Sequence, residues 1–113
     1  MSIINVPQYL YLHSQSYNSQ FIEYVWRFPS KEDEDDQVIF KVYKDNTFYL
    51  EYGKIGKSGD YANNIPTFFI DGASTEWLKN KDRKEIAYLK RFFTLEIELV
   101  KLAEDSVKYL KEI

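Results

Sequence analysis

The stretch Val38 to Gly59, VIFKVYKDNTFYLEYGKIGKSG, constrains this chain more than any other. Val38, Phe40 and Val42 alternate with Ile39, Lys41 and Tyr43, and Phe48, Leu50 and Tyr52 alternate with Thr47, Tyr49 and Glu51. A two-residue period is the mark of a half-buried strand, so the segment reads as a β-hairpin. The apolar pattern also selects the register. A two-residue turn at Asp45-Asn46 would pair Val42 with Tyr49 and split the apolar sets between two faces. A three-residue loop, Lys44-Asp45-Asn46, pairs Val42 with Phe48, Phe40 with Leu50 and Val38 with Tyr52, and one face becomes wholly apolar. The third residue of such a loop takes the left-handed region, which Asn tolerates. The expectation is therefore the three-residue loop.

Before the hairpin, Gln8 to His13 alternates Leu10 and Leu12 with Tyr9, Tyr11 and His13, and reads as a first strand with Pro7 at its edge. Ser14 to Gln20 reads as a polar loop, and Phe21 to Phe28 as a second strand with Ile22, Tyr24, Trp26 and Phe28 on one face. Ser30 to Gln37, SKEDEDDQ, reads as a charged loop. After the hairpin, the glycines of GKIGKSGD predict irregular backbone, and Ile65 to Asp71 a short apolar strand.

From Ser74 the period becomes helical. Ser74 suits the N-cap of a short helix over Thr75 to Lys79, and Asp82 with Glu85 makes a capping-box-like pair. Ile86, Leu89, Phe93, Val100, Ala103, Val107 and Leu110 then form an apolar stripe, with Phe92, Leu95, Leu99 and Leu102 beside it. One helix from Arg83 to Lys111 would be about 43 Å long, against a radius of gyration of about 13 Å for a globule of this size. Either the helix breaks or a partner covers the extra stripe. A second copy joined by two-fold pairing, as a homodimer, would do so through Phe92, Leu95, Leu99 and Leu102. The fold expected is a single α+β domain over residues 1–113: an antiparallel meander of about five strands packed against a long C-terminal helix.

The chain has 113 residues, enough to bury a core without staples, and has no cysteine. A start without a basic segment, and the lack of any apolar run near eighteen residues, point to a cytoplasmic protein with no membrane partner. A single histidine and no cysteine leave little for a His- or Cys-rich metal site, and no cofactor is expected. His13 reads as a strand-end side chain. Gly56-Lys57-Ser58 invites a phosphate-loop reading, but Glu51 stands where that motif requires glycine, and Asn63, Asn64 and Pro66 follow where a helix should begin. Nothing here assembles into a catalytic constellation, so the chain is not expected to be an enzyme.

Charge is distributed unevenly. The first 36 residues carry two basic and six acidic side chains, and Lys79, Lys81, Arg83, Lys84, Lys90 and Arg91 crowd one later segment. The acidic run has two readings: a solvated turn that discourages edge pairing, or a docking surface for a basic protein. Ten tyrosines suit a contact surface. The leading functional expectation is a small non-enzymatic protein-binding module, in the manner of an inhibitor or immunity protein that masks its partner. Glu34, Asp35 and Asp36 would steer the partner, and Tyr43 and Tyr49 on the non-core face would anchor it. Reversing the three acids to Lys should then leave the melting temperature almost unchanged.

Tyr52-Gly53-Lys54-Ile55-Gly56-Lys57-Ser58-Gly59 resembles the motif of the WGR domain, a family named for a Trp-Gly-Arg triplet followed by an aliphatic residue and spaced glycines. Strands precede that motif and a helix follows it. The resemblance covers about half the chain and implies nucleic-acid binding, since the motif can contact DNA ends in DNA-repair ADP-ribose polymerases. It would make Tyr52 and Lys54 the contacts, and Lys54 and Lys57 the pair whose removal damages binding. Tyr stands here for Trp and Lys for Arg, which removes the bidentate fork.

Overall fold

The computed structural model describes residues 11–56, 59, 65–80, 82–93 and 96–112. Five strands form one antiparallel sheet in sequence order: β1 (Leu12–Tyr17), β2 (Phe21–Lys31), β3 (Glu34–Tyr43), β4 (Thr47–Gly56) and β5 (Phe68–Ser74). A 3-10 helix (Thr75–Lys79), α1 (Lys84–Leu89), a π-helical turn (Glu96–Val100) and α2 (Lys101–Glu112) follow. The α+β meander expected from the sequence is present.

The central hairpin has the expected register. Val42 faces Phe48, Phe40 faces Leu50 and Val38 faces Tyr52, with Lys41 opposite Tyr49 on the other side. Asn46 is left-handed, with φ of 70°. Its tip also docks the 3-10 helix: Thr75 donates from its backbone to the Asn46 carbonyl over 3.1 Å, and from its hydroxyl to Asn46 Oδ1 over 2.8 Å. Ser74 caps that helix by accepting from the Glu76 N–H, as its sequence position suggests.

Several boundaries differ from the sequence expectation. The segment Ser14–Tyr17, expected as loop, pairs with β2, while residues 8–10 of the expected first strand lie outside the described residues. The expected loop over Ser30 to Gln37 is mostly strand: β2 runs to Lys31, only Glu32 and Asp33 form the turn, and β3 begins at Glu34. Likewise β4 continues through Gly53 to Gly56, because Gly53 and Gly56 pair with Gln37 and Glu34. Charges and glycines are tolerated there because neighbouring strands supply backbone partners and, for Asp36, side-chain partners. Gly72, with φ of 77°, is the extra residue of a bulge in β5 between Asp71 and Ala73.

The long helical stretch is divided, one of the two outcomes that its length left open. α1 ends at Leu89, and Lys90 to Phe92 form turns before the π-helical segment begins. Asp82 does not cap α1; Arg83 occupies the N-cap position, without a side-chain hydrogen bond. The division lets both helical pieces bury their stripes in one core. Ile86 and Leu89 of α1, Phe93, and Leu99, Leu102, Ala103, Val107 and Leu110 further on join the inner-face set of β2, β3 and β4. At the centre Trp26 lies edge-on to Phe93, with centroids 5.0 Å apart, and stacks on Tyr24 at 5.8 Å. The Tyr24 hydroxyl reaches Ser106 Oγ of α2 over 2.8 Å, and Ser106 in turn donates to the Leu102 carbonyl. Because Ser106 has one proton, Tyr24 is the donor to it.

Candidate functional site

Two polar arrangements stand out, one at the end of the sheet and one across its non-core face. At the sheet end, Asp36 of β3 points to the core side and is only 6% exposed. Its Oδ1 accepts from the Tyr52 hydroxyl at 2.6 Å and from Lys54 Nζ at 3.0 Å. Tyr52 has one proton, given to Asp36, so Tyr88 donates to Tyr52 across their 3.1 Å contact. Burial, then the bonds to Asp36 and Tyr88, hold the Tyr52 hydroxyl well above the usual phenol range. Lys54 also reaches Glu34 at 4.0 Å and Ser30 Oγ at 3.4 Å. An open cleft of about 410 Å³ adjoins this network, lined among others by Phe28, Asp36, Phe92 and Arg91. The Arg91 guanidinium lies over the Tyr88 ring at 4.8 Å.

This geometry changes what the acidic run can do. Asp36 is an internal acceptor with two donors, so it is not a steering charge on a surface. Glu34 is half-buried and sits within 3.9 Å of Lys31 as well as near Lys54, while Asp35 pairs with Pro29 and Ile55 in the ladder. The three acids are strand residues divided between two faces, because neighbouring positions of a strand point oppositely. Tyr52 is 1% exposed, its ring packed against Phe68, Tyr88 and Phe92. Lys54 is engaged by Asp36, and Lys57 lies outside the described residues.

Three of the four residues expected at a helix interface can be placed within the chain. Leu99 and Leu102 are buried in the core, and Phe92 is half-buried with its ring stacked on Phe28 at 4.7 Å. Leu95 lies outside the described residues. Among the described residues, this leaves neither Leu99 nor Leu102 available to a second copy.

The opposite face of the sheet keeps Tyr43 and Tyr49 together. The described helices contribute to the core on the other side; on this face Val25, Gln37 and Ile55 are buried, while Phe21, Tyr43 and Tyr49 stay part-exposed and Phe69 exposed. Phe21 and Tyr43 pack edge-on with centroids 5.6 Å apart, and Tyr49 stacks on Phe69 at 6.2 Å. Lys41 lies between the two pairs, its Nζ 4.9 Å from the Phe21 centroid and 5.8 Å from that of Tyr49. Lys41 also pairs with Glu23 at 3.8 Å, and Arg27 Nε donates to Gln37 Oε1 at 2.9 Å. The Tyr49 hydroxyl donates to Glu51. Desolvation, then Glu51, then the nearby Asp71 and Tyr43, raise the Tyr49 hydroxyl well above the usual phenol range.

Phe69 is the residue of this face that the sequence hid. It is 60% exposed, on an edge strand. The run Thr67-Phe68-Phe69-Ile70 is apolar at three successive positions, so alternation could not say which face each phenylalanine takes. The pairing of Tyr52 with Phe68 and of Glu51 with Phe69 settles it.

Among the described residues, no three His, Cys, Asp or Glu side chains are grouped to hold a metal, and no helix is long and apolar enough to cross a membrane. Comparison with protein-family models, with curated proteins and with solved structures gave no match.

Proposed function

We propose that this chain is a small protein-binding module that masks a partner protein, as inhibitors and immunity-type proteins do, and that it meets the partner through the open face of its sheet. The observation that carries this reading is the Tyr49–Phe69 pair: two stacked rings on the non-core side of the sheet, one of them 60% exposed. Exposed aromatic side chains offer large contact area at low entropic cost, and they dominate the energetics of interfaces. Tyr43, Phe21 and Ile39 extend the apolar part of the face, while Glu23, Arg27, Lys41, Glu51 and Asp71 supply a polar surround. This reading keeps Tyr43 and Tyr49 as contact residues and leaves the acidic run out of the contact.

The reading of Tyr52 and Lys54 as nucleic-acid contacts has less support, because the first is in the core and the second is held by a carboxylate.

A photo-crosslinking amino acid placed in turn at Tyr43, at Phe69 and at Lys108 on α2 tests the reading in cells of the natural source. The expected result is one protein adduct from Tyr43 and Phe69, none from Lys108, and its disappearance when Tyr49 is changed to Ser. Adducts from Lys108 alone, or a DNA duplex retained at low salt and released at high salt, would replace this reading with another.

A further inference from the structure

On this face, the charged groups of one half have side-chain partners among each other, and those of the other half have fewer. In the β2–β3 half, Glu23 has Lys41, and Arg27 has Gln37. In the β4–β5 half, Glu51 faces Phe69 across the ladder and Tyr49 faces Asp71. These four side chains make a two-by-two block on one face, with rings on one diagonal and carboxylates on the other. Direct neighbours in such a block are about 5 Å apart at Cβ and diagonal ones about 7–8 Å. The rings lie within 24° of parallel. Glu51 accepts only the Tyr49 hydroxyl, Asp71 has no hydrogen-bond or ion-pair partner, and neither has a cation within 4 Å, among the described residues.

We infer that this corner, Tyr49–Glu51–Phe69–Asp71, receives an arginine side chain of the partner protein, its guanidinium laid on the ring pair and bonded to the two carboxylates. The inference rests on the binding role argued above and adds the chemistry of the contact. An apolar partner group would desolvate two carboxylates without compensation. A nucleic acid would bring phosphate against them. A guanidinium answers both halves of the block: its plane stacks on aromatic rings and its fork of donors fits carboxylate oxygens. Lysine answers them less well, being a compact and strongly hydrated point charge. Lys41 does not fill the site, since it is drawn to Glu23 on the far side of Tyr49.

The test is NMR shift mapping of the full chain with three blocked tripeptides, Gly-Arg-Gly, Gly-Lys-Gly and Gly-citrulline-Gly. The expected result is saturable, salt-sensitive shifts confined to Tyr49, Glu51, Phe69, Asp71 and their immediate neighbours. Affinity should fall several-fold from arginine to lysine, with no saturation for citrulline, which keeps the shape and loses the charge. Changing Glu51→Gln together with Asp71→Asn should weaken the arginine peptide roughly tenfold, as expected for two exposed ion pairs, with an unchanged melting temperature. Equal shifts from the citrulline peptide, or arginine shifts mapping elsewhere, would overturn the inference. Crosslinks from Phe69 without any arginine response would sink the arginine site while leaving the binding role standing. Loss of both would remove both.

Discussion

Tyr52 donates its hydroxyl hydrogen to Asp36 Oδ1 over 2.6 Å, diagonally across the β3–β4 ladder, while Lys54, the direct neighbour of Asp36, donates to the same oxygen at 3.0 Å. A buried carboxylate beside Val38, Phe40 and Val42 is tolerated because both donors come from the adjacent strand.

The first prediction follows from that pair. Changing Glu34, Asp35 and Asp36 together to Lys should destabilise the fold by about 3 kcal/mol or more, because the residue at 36 would then set a second ammonium beside Lys54 and leave the Tyr52 hydroxyl unpaired. This reverses the expectation drawn from the sequence, that the charge run can be inverted freely. Changing the turn residues Glu32 and Asp33 to Lys should stay within about 0.5 kcal/mol of the original. Urea unfolding of the two variants makes the comparison, and equal midpoints would mean that Asp36 does not hold the sheet end.

Alkaline pH should weaken the fold through Tyr24. Burial pushes its hydroxyl up to about 12, from the usual 10. The native state keeps its proton where the unfolded chain has lost it, so the unfolded state binds fewer protons above pH 10. Stability is then fully present below pH 10 and declines as pH rises towards about 12. The limiting slope for one group is about 1.4 kcal/mol per pH unit. Tyr52 is raised as well and acts in the same direction. Melting curves from pH 8 to 11 should show the decline, and Tyr24→Phe should make it shallower.

Asn46 has two separable roles, a left-handed backbone and an acceptor for the buried Thr75 hydroxyl. Asn46→Gly keeps the first and loses the second, so it should cost about 1 kcal/mol. Asn46→Ala loses both and should cost about 1 kcal/mol more. If Ala and Gly prove equivalent in chemical unfolding, the left-handed tip does not contribute as argued.

Much of this fold is legible in the sequence because strict alternation fixes faces and, through faces, register. The pairing of Phe40 with Leu50 is such a case. Edge strand β1 is not legible that way. Its Ser14, Gln15 and Ser16 show no apolar alternation, yet they pair with Val25, Tyr24 and Glu23 in the ladder. Asp36 misleads for a related reason: an acidic residue beside four others reads as solvated, and its partner Tyr52 is sixteen residues away. The division of the helix was legible only as a length argument. One straight helix over the whole stretch, about 43 Å long, would run the full 42 Å of the molecule's longest extent. Tyr43 and Tyr49 could be placed on the non-core face from alternation, but Phe69 needed the β4–β5 register.

Phe68 and Phe69 are adjacent in the chain and opposite in the fold, which gives the last prediction its contrast. Phe68 packs on Tyr52 at 5.5 Å and edge-on to Tyr88 at 6.1 Å, on the core side of β5. Phe69 touches Tyr49 and is otherwise largely open to solvent. Phe68→Ala should therefore cost about 2–3 kcal/mol, somewhat below a fully buried phenylalanine, since the position is half-buried. Phe69→Ala should stay within about 0.5 kcal/mol of the parent in stability. In partner capture the order inverts. At a temperature where both variants are folded, Phe69→Ala should lose crosslinking from Tyr43, while Phe68→Ala should retain it. If Phe69 merely fills an edge, Phe69→Ala would have small effects on both measurements, and the open face would then lose its claim as the site of contact.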